Sequence, residues 1–178
     1  SEWGSLLAQN PLPLMDVGQA VTAAASVGSD GRNFWVYFGT GRFFHPDDKT
    51  DATQQTFYGI KEPKDADGNL TWEAVELTGN HDSTPGAQGL FRTDQILVHE
   101  ADASGNATLS CRGASSCLAS VDGSPVDTFN ALVDYIAGTE TSTGTDGWYL
   151  HFSEPRERNL GQATLYGGLL TFPTYQPY

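Results

Sequence analysis

The amino-acid sequence predicts an all-β fold with one short helix, and three observations support that prediction. Runs of aromatic and β-branched residues recur along the chain, and such side chains suit the pleated surface of a sheet. Turn-forming residues separate these runs, and the chain holds 20 glycines and 9 prolines. Helical periodicity occurs in a single stretch. The runs indicate roughly eight or nine short strands, as in a sandwich or in propeller blades, and composition alone does not choose between the two.

The segment around which the chain is organised is residues 33–44. Residues 34–38 are uncharged, aromatic and β-branched, which predicts a central strand. Gly39 and Gly41 end that strand, because glycine lets the backbone adopt a positive φ or pass close to a neighbour. Residues 56–60 predict its partner strand.

Two segments precede this strand pair. Residues 1–16 predict an irregular connector that docks Trp3 and nearby leucines and ends in an extended, Pro-rich piece. Residues 17–27 are rich in alanine, so propensity alone favours a helix. We predict a strand instead, because Gly18 and Gly28 bracket the segment and strong turn chemistry follows it.

The remaining chain predicts further strands and the helix. Strands are predicted at residues 70–77, 95–98 and 147–152, and as two short pieces within residues 162–172. The helix is predicted near residues 125–137. Ser124 can cap it, Pro125 suits the first helical position, apolar residues follow at helical spacing, and Gly138 ends it.

The chain is acidic, with 22 acidic and 9 basic residues and a formal net charge of −13. Nucleic-acid binding is therefore not expected, because that affinity depends on Lys and Arg neutralising phosphates. An acidic surface is compatible with divalent cations, although solubility alone explains it. No run approaches the roughly 20 apolar residues of a membrane span, so none is expected.

The chain has two cysteines, Cys111 and Cys117, separated by a short segment. In an exported protein they would pair and close a small loop, with two free thiols as the alternative. Their spacing excludes a redox Cys-x-x-Cys motif. Two cysteines without a nearby histidine also make a poor zinc site.

Two groups of motifs together resemble a known family. The first is Trp35-Val36-Tyr37-Phe38-Gly39-Thr40-Gly41-Arg42, followed after an acidic loop by Thr53-Gln54-Gln55-Thr56-Phe57-Tyr58-Gly59-Ile60. The second is Gly147-Trp148-Tyr149-Leu150, then Glu157-Arg158, then Gly167-Gly168-Leu169-Leu170-Thr171-Phe172-Pro173-Thr174. Their order resembles the C-terminal β-propeller of PilY1-type proteins, which are large type IV pilus-associated adhesins and biogenesis factors. The resemblance covers residues 17–60 and 147–177, and it extends over residues 61–146 by order only.

The resemblance implies both an architecture and a function. Residues 1–178 would be one segment of a larger β-propeller domain, with 1–16 as connector and 17–178 as about three to four blades. The family chain runs on beyond this segment, so we expect a piece of a longer protein or a chain that pairs with another polypeptide. The implied function is a non-enzymatic adhesion and biogenesis module, extracellular, at a bacterial pilus tip. The implied partners are the remaining propeller chain, pilus subunits such as minor pilins, and a host or surface ligand.

Calcium is the cofactor that the family suggests. The nearest loop carries Asp65, Asp67 and Asn69 at alternate positions, with Glu76 at the twelfth position of an EF-hand count. The glycine of an EF-hand turn is misplaced there, so an ordinary hairpin turn is the alternative.

Two other function classes remain open. One is a structural subunit of an extracellular filament or surface assembly, in which open sheet edges pair with neighbours. The other, least favoured, is a quinoprotein-type propeller enzyme, for which the sequence shows neither vicinal cysteines nor basic cofactor anchors.

Several further groups are expected to have no chemical role. A second acidic loop is expected to be solvated, with a bound cation as the alternative: Asp47, Asp48 and Asp51. Four charged residues are expected to form rim salt bridges of little energetic value: Glu154, Arg156, Glu157 and Arg158. The scattered histidines predict no catalytic constellation: His45, His81, His99 and His151. The aromatic runs are expected to form sheet core rather than a sugar platform.

Overall fold

The structure is a computed structural model that describes residues 14–62, 89–113, 117–121, 123–142 and 144–178. Within those residues the strands are β1 (Ser26–Ser29), β2 (Phe34–Gly39), β3 (Thr56–Lys61), β4 (Leu90–Arg92), β5 (Ile96–Val98), β6 (Leu109–Cys111), β7 (Ser120–Val121), β8 (Ser124–Pro125), β9 (Gly147–His151), β10 (Thr164–Tyr166) and β11 (Leu169–Thr171). The α-helix is α1 (Phe129–Ala137). The predicted class, mostly sheet with one short helix, is confirmed for this part of the chain.

Five strands form the main sheet, in the order β1-β2-β3-β9-β4. The pairs β1–β2, β2–β3 and β3–β9 are antiparallel, whereas β9–β4 is parallel. The predicted central pair is present as β2 and β3, with Val36 opposite Ile60 and Phe38 opposite Tyr58. Every residue of β3 is buried, because this strand lies in the middle of the sheet and is covered on both faces.

Each face of the main sheet has its own apolar cluster. One is formed by Tyr58, Ile60, Leu90 and Tyr149, and the other by Phe57, Phe152 and Ala163. Alternation along β3 explains the division, because successive side chains of a strand point to opposite faces. Leu14 and Met15, at the end of the predicted connector, pack against the first cluster; Trp3 lies outside the described residues.

A second region, residues 96–113, 117–121 and 123–138, is built from small local units, and we call it the helix–disulfide region. It pairs β5 with β6 and β7 with β8 as antiparallel hairpins. A third apolar cluster lies in it and reaches β4, formed by Phe91, Leu109, Ala119, Val126 and Leu132. Cys111 and Cys117 lie at disulfide distance, with Cα atoms 5.6 Å apart, as the predicted pairing requires.

The predicted start of the helix is wrong by about one turn. Ser124 and Pro125 form strand β8 instead, and the Val126 amide donates to the Ala119 carbonyl. The helix is capped by Thr128, whose side chain accepts a hydrogen bond from the Ala131 amide. The predicted end is correct, because Gly138 closes the helix with φ +87°.

The strand predicted over residues 17–27 is also too long. Only its last two residues enter β1, which begins at Ser26. The preceding segment meets the end of β2 instead: the Gly41 amide donates to the Ala20 carbonyl, and the Thr22 hydroxyl donates to the Gly41 carbonyl. These contacts compete with a regular ladder.

The other predicted strands are confirmed, except for one that lies outside the described residues. Residues 95–98, 147–152 and 162–172 contain β5, β9 and the β10–β11 hairpin, whose turn is formed by Gly167 and Gly168 with positive φ. Residues 70–77, which predict a strand, lie outside the described residues.

Candidate functional site: the glycine junction

Five residues from two distant segments meet at the end of β2, and we call them the glycine junction: Gly39, Thr40, Gly41, Arg158 and Asn159. The Asn159 amide donates to the Thr40 carbonyl at 3.0 Å. A Cβ at Gly39 would lie 2.5 Å from the Asn159 Cβ, and one at Gly41 would lie 2.6 Å from the Asn159 carbonyl oxygen. Both positions therefore require glycine, because real Cβ atoms do not approach other heavy atoms so closely.

Arg158 is 2% exposed, so the predicted rim salt bridge is wrong for this residue. Its guanidinium donates to three main-chain carbonyls at 2.8–3.0 Å, those of Arg42, Asp51 and Arg156. The Arg158 Cζ also lies 5.9 Å from the centroid of the Phe43 ring. Carbonyl dipoles thus satisfy a buried cation, which would be costly to bury without partners.

The junction also fixes the C-terminal segment. Arg158 and Tyr175 exchange two main-chain hydrogen bonds at 2.8 and 2.9 Å. Asn159, 1% exposed, donates from Nδ2 to the Pro173 carbonyl at 2.8 Å. The motifs from the two ends of the described chain therefore pack directly against each other.

A second close contact of the same kind lies between β3 and β9. A Cβ at Gly59 would lie 2.5 Å from Cε2 of the Trp148 indole. Around this contact Phe57 stacks on Phe172 with centroids 3.8 Å apart, and Tyr37 lies 6.3 Å from Trp148. Most of the predicted aromatic core is buried or half-buried, but Phe34 is 58% exposed.

The second acidic loop was predicted to be solvated. That prediction is wrong for Asp48, which is 3% exposed. Its carboxylate accepts hydrogen bonds from the amides of His45 and Phe44 and from Arg42 Nε, at 2.8–2.9 Å. The two amide hydrogen bonds, with Arg42, outweigh burial and lower the pKa of Asp48. Its oxygens are thus occupied by protein donors.

No group of three or more His, Cys, Asp or Glu side chains within the described residues is arranged to hold a metal ion. The predicted calcium residues Asp65, Asp67 and Asn69, together with Glu76, lie outside the described residues.

One polar grouping is not apparent from the sequence, in which the histidines are scattered. Thr56 Oγ1 lies 2.8 Å from His151 Nδ1, and the His151 amide donates to Asp94 Oδ1 at 3.2 Å. The strand register brings this pair together, because Thr56 and His151 are opposite each other in the β3–β9 pair.

This grouping does not have the geometry of a nucleophile–base triad. In such a triad the carboxylate accepts a hydrogen bond from the imidazole N–H, whereas Asp94 accepts a hydrogen bond from the main-chain amide of His151. Asp94 also pairs with Arg92 at 2.9 Å. Burial opposes ionisation of Asp94, but Arg92 and the His151 amide outweigh it and lower the pKa of that carboxyl.

Comparisons with protein-family models, with curated proteins and with solved structures find no match for this chain. Among the helices of the described residues, none has both the length and the apolar character needed to cross a bilayer.

Proposed function

We propose that the chain is a non-enzymatic, extracellular adhesion and biogenesis module, a portion of the β-propeller of a PilY1-type protein of the bacterial pilus tip. The observation that supports this most is the glycine junction. Two of the motifs that carry the family resemblance pack against each other there, since a Cβ at Gly41 would lie 2.8 Å from the Arg158 Cβ. Two more motifs meet where Gly59 lies against Trp148. Residues that need each other sterically are expected to occur together in a family.

The main sheet supports the propeller part of the proposal. Its strands β1, β2, β3 and β9 form a run of four antiparallel neighbours, and four antiparallel strands make one propeller blade. On this proposal the described strands belong to about three to four blades of a ring that more polypeptide completes.

The proposed mechanism is the presentation of loops and turns from a rigid scaffold. The β10–β11 hairpin fits that role, because Tyr166 is 86% and Leu169 66% exposed at its tip. An aromatic ring and a leucine of this exposure are suited to contact a host or surface ligand, or a pilus subunit such as a minor pilin.

A second candidate function is a structural subunit of an extracellular filament or surface assembly. It is favoured by one observation, that β1 forms an edge of the main sheet within the described residues. Edges of this kind pair with neighbouring chains unless they are protected.

The test is genetic and uses the full-length protein in the organism that carries the gene. Deletion of residues 14–178 should reduce both the number of surface pili and attachment to surfaces, and the wild-type gene should restore both. A Gly105→Ala allele should also restore them, because its Cβ meets no atom within 4 Å. Normal piliation and attachment after deletion would contradict the proposal.

Two measurements on the purified protein address the competing classes. A quinone absorbance band would favour the quinoprotein enzyme over the adhesin. A rise in melting temperature on adding calcium would support a calcium site, which we propose at Asp65, Asp67 and Asn69.

A further inference from the structure

The outer side of β1 has main-chain groups that point away from the sheet. The β1–β2 turn is closed by the Asp30 amide donating to the Asn33 carbonyl at 3.2 Å. Hydrogen-bonded pairs alternate along an antiparallel ladder, so Ser26 and Gly28 direct their main-chain groups toward β2. Val27 and Ser29 therefore direct theirs outward.

These outward groups have no hydrogen-bond partner in the part of the chain that the structure describes. No main-chain or side-chain hydrogen bond there involves the amide or carbonyl of Val27 or Ser29. Just before them, the Ala25 carbonyl accepts from Gln162 Nε2 at 3.2 Å, so the edge becomes unpaired from Val27 onward.

The side chains next to this edge are apolar and exposed on one face only. Val27 is 68% and Phe34 58% exposed, and both lie on the face that carries Phe38, Tyr58 and Ile60 further into the sheet. The opposite face of β1 is covered, because Leu165 lies directly over Gly28 and the Ser26 hydroxyl bonds to the Ala163 carbonyl.

We propose that the outer edge of β1 is a docking site for an extended strand of another polypeptide. Alternate amide and carbonyl groups at Val27 and Ser29 are the chemistry that β-augmentation recognises. A strand paired there would place apolar side chains over Val27 and Phe34 and continue the apolar face of the sheet.

The charge of the chain decides which polypeptide fits. A second copy would bring two chains of net charge −13 together, and their mutual repulsion opposes that pairing. The occupant is therefore a neutral or basic strand with apolar residues at alternate positions. The inference rests on the proposed function, because a scaffold unit of a larger assembly needs an edge through which it joins its neighbour.

The test titrates the whole chain with a synthetic peptide, Lys-Thr-Val-Thr-Val-Thr-Lys. The main-chain amide signals of the chain are observed by NMR. The peptide should shift the amides of Val27 and Ser29 and slow their hydrogen exchange. Val27→Pro should weaken binding by about tenfold, since it removes one outward donor while leaving the β1–β2 ladder intact. Unchanged β2–β3 amide shifts in Val27→Pro will show that the sheet is preserved.

Matched variants separate the apolar contribution from the main-chain one. Val27→Thr keeps the amide and should weaken binding by only about threefold. Val98→Thr should leave binding unchanged, because Val98 is a comparably exposed strand valine, at 55%, in β5.

Three results would overturn the proposal: no shifts at β1, shifts confined to another edge, or equal binding by Val27→Pro and wild type. A dimer in sedimentation that Val27→Pro dissolves would make a second copy the occupant and would also overturn it. These outcomes are independent of the attachment phenotype. Loss of peptide docking with the predicted phenotype intact refutes this inference alone, and docking with normal attachment after deletion refutes the proposed function alone.

Discussion

The main sheet and the helix–disulfide region are stabilised by contacts of very different sequence range. In the sheet, Thr56 pairs with His151 and Leu90 with Gly147, so its neighbours come from distant parts of the chain. In the helix–disulfide region the pairs are local, as in the β5–β6 and β7–β8 hairpins. We therefore expect substitutions in the sheet to unfold the whole molecule and those in the other region to act locally.

The two regions are joined at the C-terminal end of α1. Lys61, 5% exposed, donates from Nζ to the carbonyls of Ile136 and Ala137, both at 3.2 Å. Asn33 Nδ2 donates to the Ala137 carbonyl at 3.0 Å, and Arg32 Nη1 to the Gly138 carbonyl at 3.1 Å. The sheet thus supplies donors and positive charge to carbonyls at the end of the helix that have no partner within the helix itself.

The largest expected effect is that of Gly41→Ala, in the glycine junction. We expect a loss of about 3 kcal/mol or more in the free energy of unfolding, because the residue has φ +153° and its Cβ would meet the main-chain oxygen of Asn159. The control is Gly105→Ala, where φ is +83° but the space is open, and which should lose about 1 kcal/mol. Urea unfolding measures both, and equal losses would contradict the steric explanation.

Arg158→Met should have the next largest effect. It should lower the free energy of unfolding by roughly 2–3 kcal/mol, because three carbonyls lose a shared buried donor. Arg158→Lys should recover little, since an ammonium cannot reproduce the planar fork of the guanidinium. Arg112→Met, at an exposed position of the helix–disulfide region, is the control and should change nothing measurable.

Removal of the Cys111–Cys117 link tests the locality of the other region. The Cys111→Ser/Cys117→Ser protein should lose about 2 kcal/mol, as expected for so short a closed loop. Hydrogen exchange should accelerate in β5, β6 and α1 and stay unchanged in β2 and β3. Faster exchange throughout the main sheet would show that the two regions unfold as one unit.

The smallest expected effect concerns pH and Asp30, at the turn between β1 and β2. Burial opposes its ionisation, but hydrogen bonds from Asn33, Trp35 and Arg32 outweigh it and lower its pKa from 3.8 to about 2. A carboxyl with a lowered pKa contributes stability above its ordinary pKa and loses that contribution as pH falls toward the lowered value. Melting temperature should thus fall between about pH 4 and pH 2.

Asp30→Asn isolates that contribution. This variant should melt lower than wild type at pH 6 and depend less on pH below about 4, although partial exposure of Asp30 keeps the difference small. Some acid sensitivity should remain, because the pKa values of Asp48, Asp51 and Asp94 are also lowered. An unchanged pH profile in Asp30→Asn would contradict the assignment.

The sequence predicts best what depends on local pattern. The aromatic runs predict β2 and β3 nearly to the residue, because uncharged aromatic and β-branched side chains dominate both strands. The helix start failed because Ser124 and Thr128 both satisfy the capping rule. The choice between them is made by the β7–β8 pairing, which uses Ser124.

What the sequence could not predict depends on non-local geometry. The parallel pairing of β4 with β9 joins segments whose patterns carry no information about each other. Arg158 resembles an ordinary surface charge, because its partners are main-chain oxygens that no side-chain pattern reveals. The paired glycines did predict where β2 ends, but not the contact of this end with Asn159.

The choice of acceptors by Arg158 has a consequence for the conditions the protein tolerates. Peptide oxygens do not titrate, so acid leaves the three hydrogen bonds of this anchorage of the C-terminal segment in place, although it removes the attraction between Arg158 and the Asp51 carboxylate. The side chains at positions 42, 51 and 156 can also be replaced without removing the acceptors. The hydrogen bonds of the anchorage therefore depend on the course of the backbone around Arg158 rather than on the identity or protonation of the side chains at those three positions.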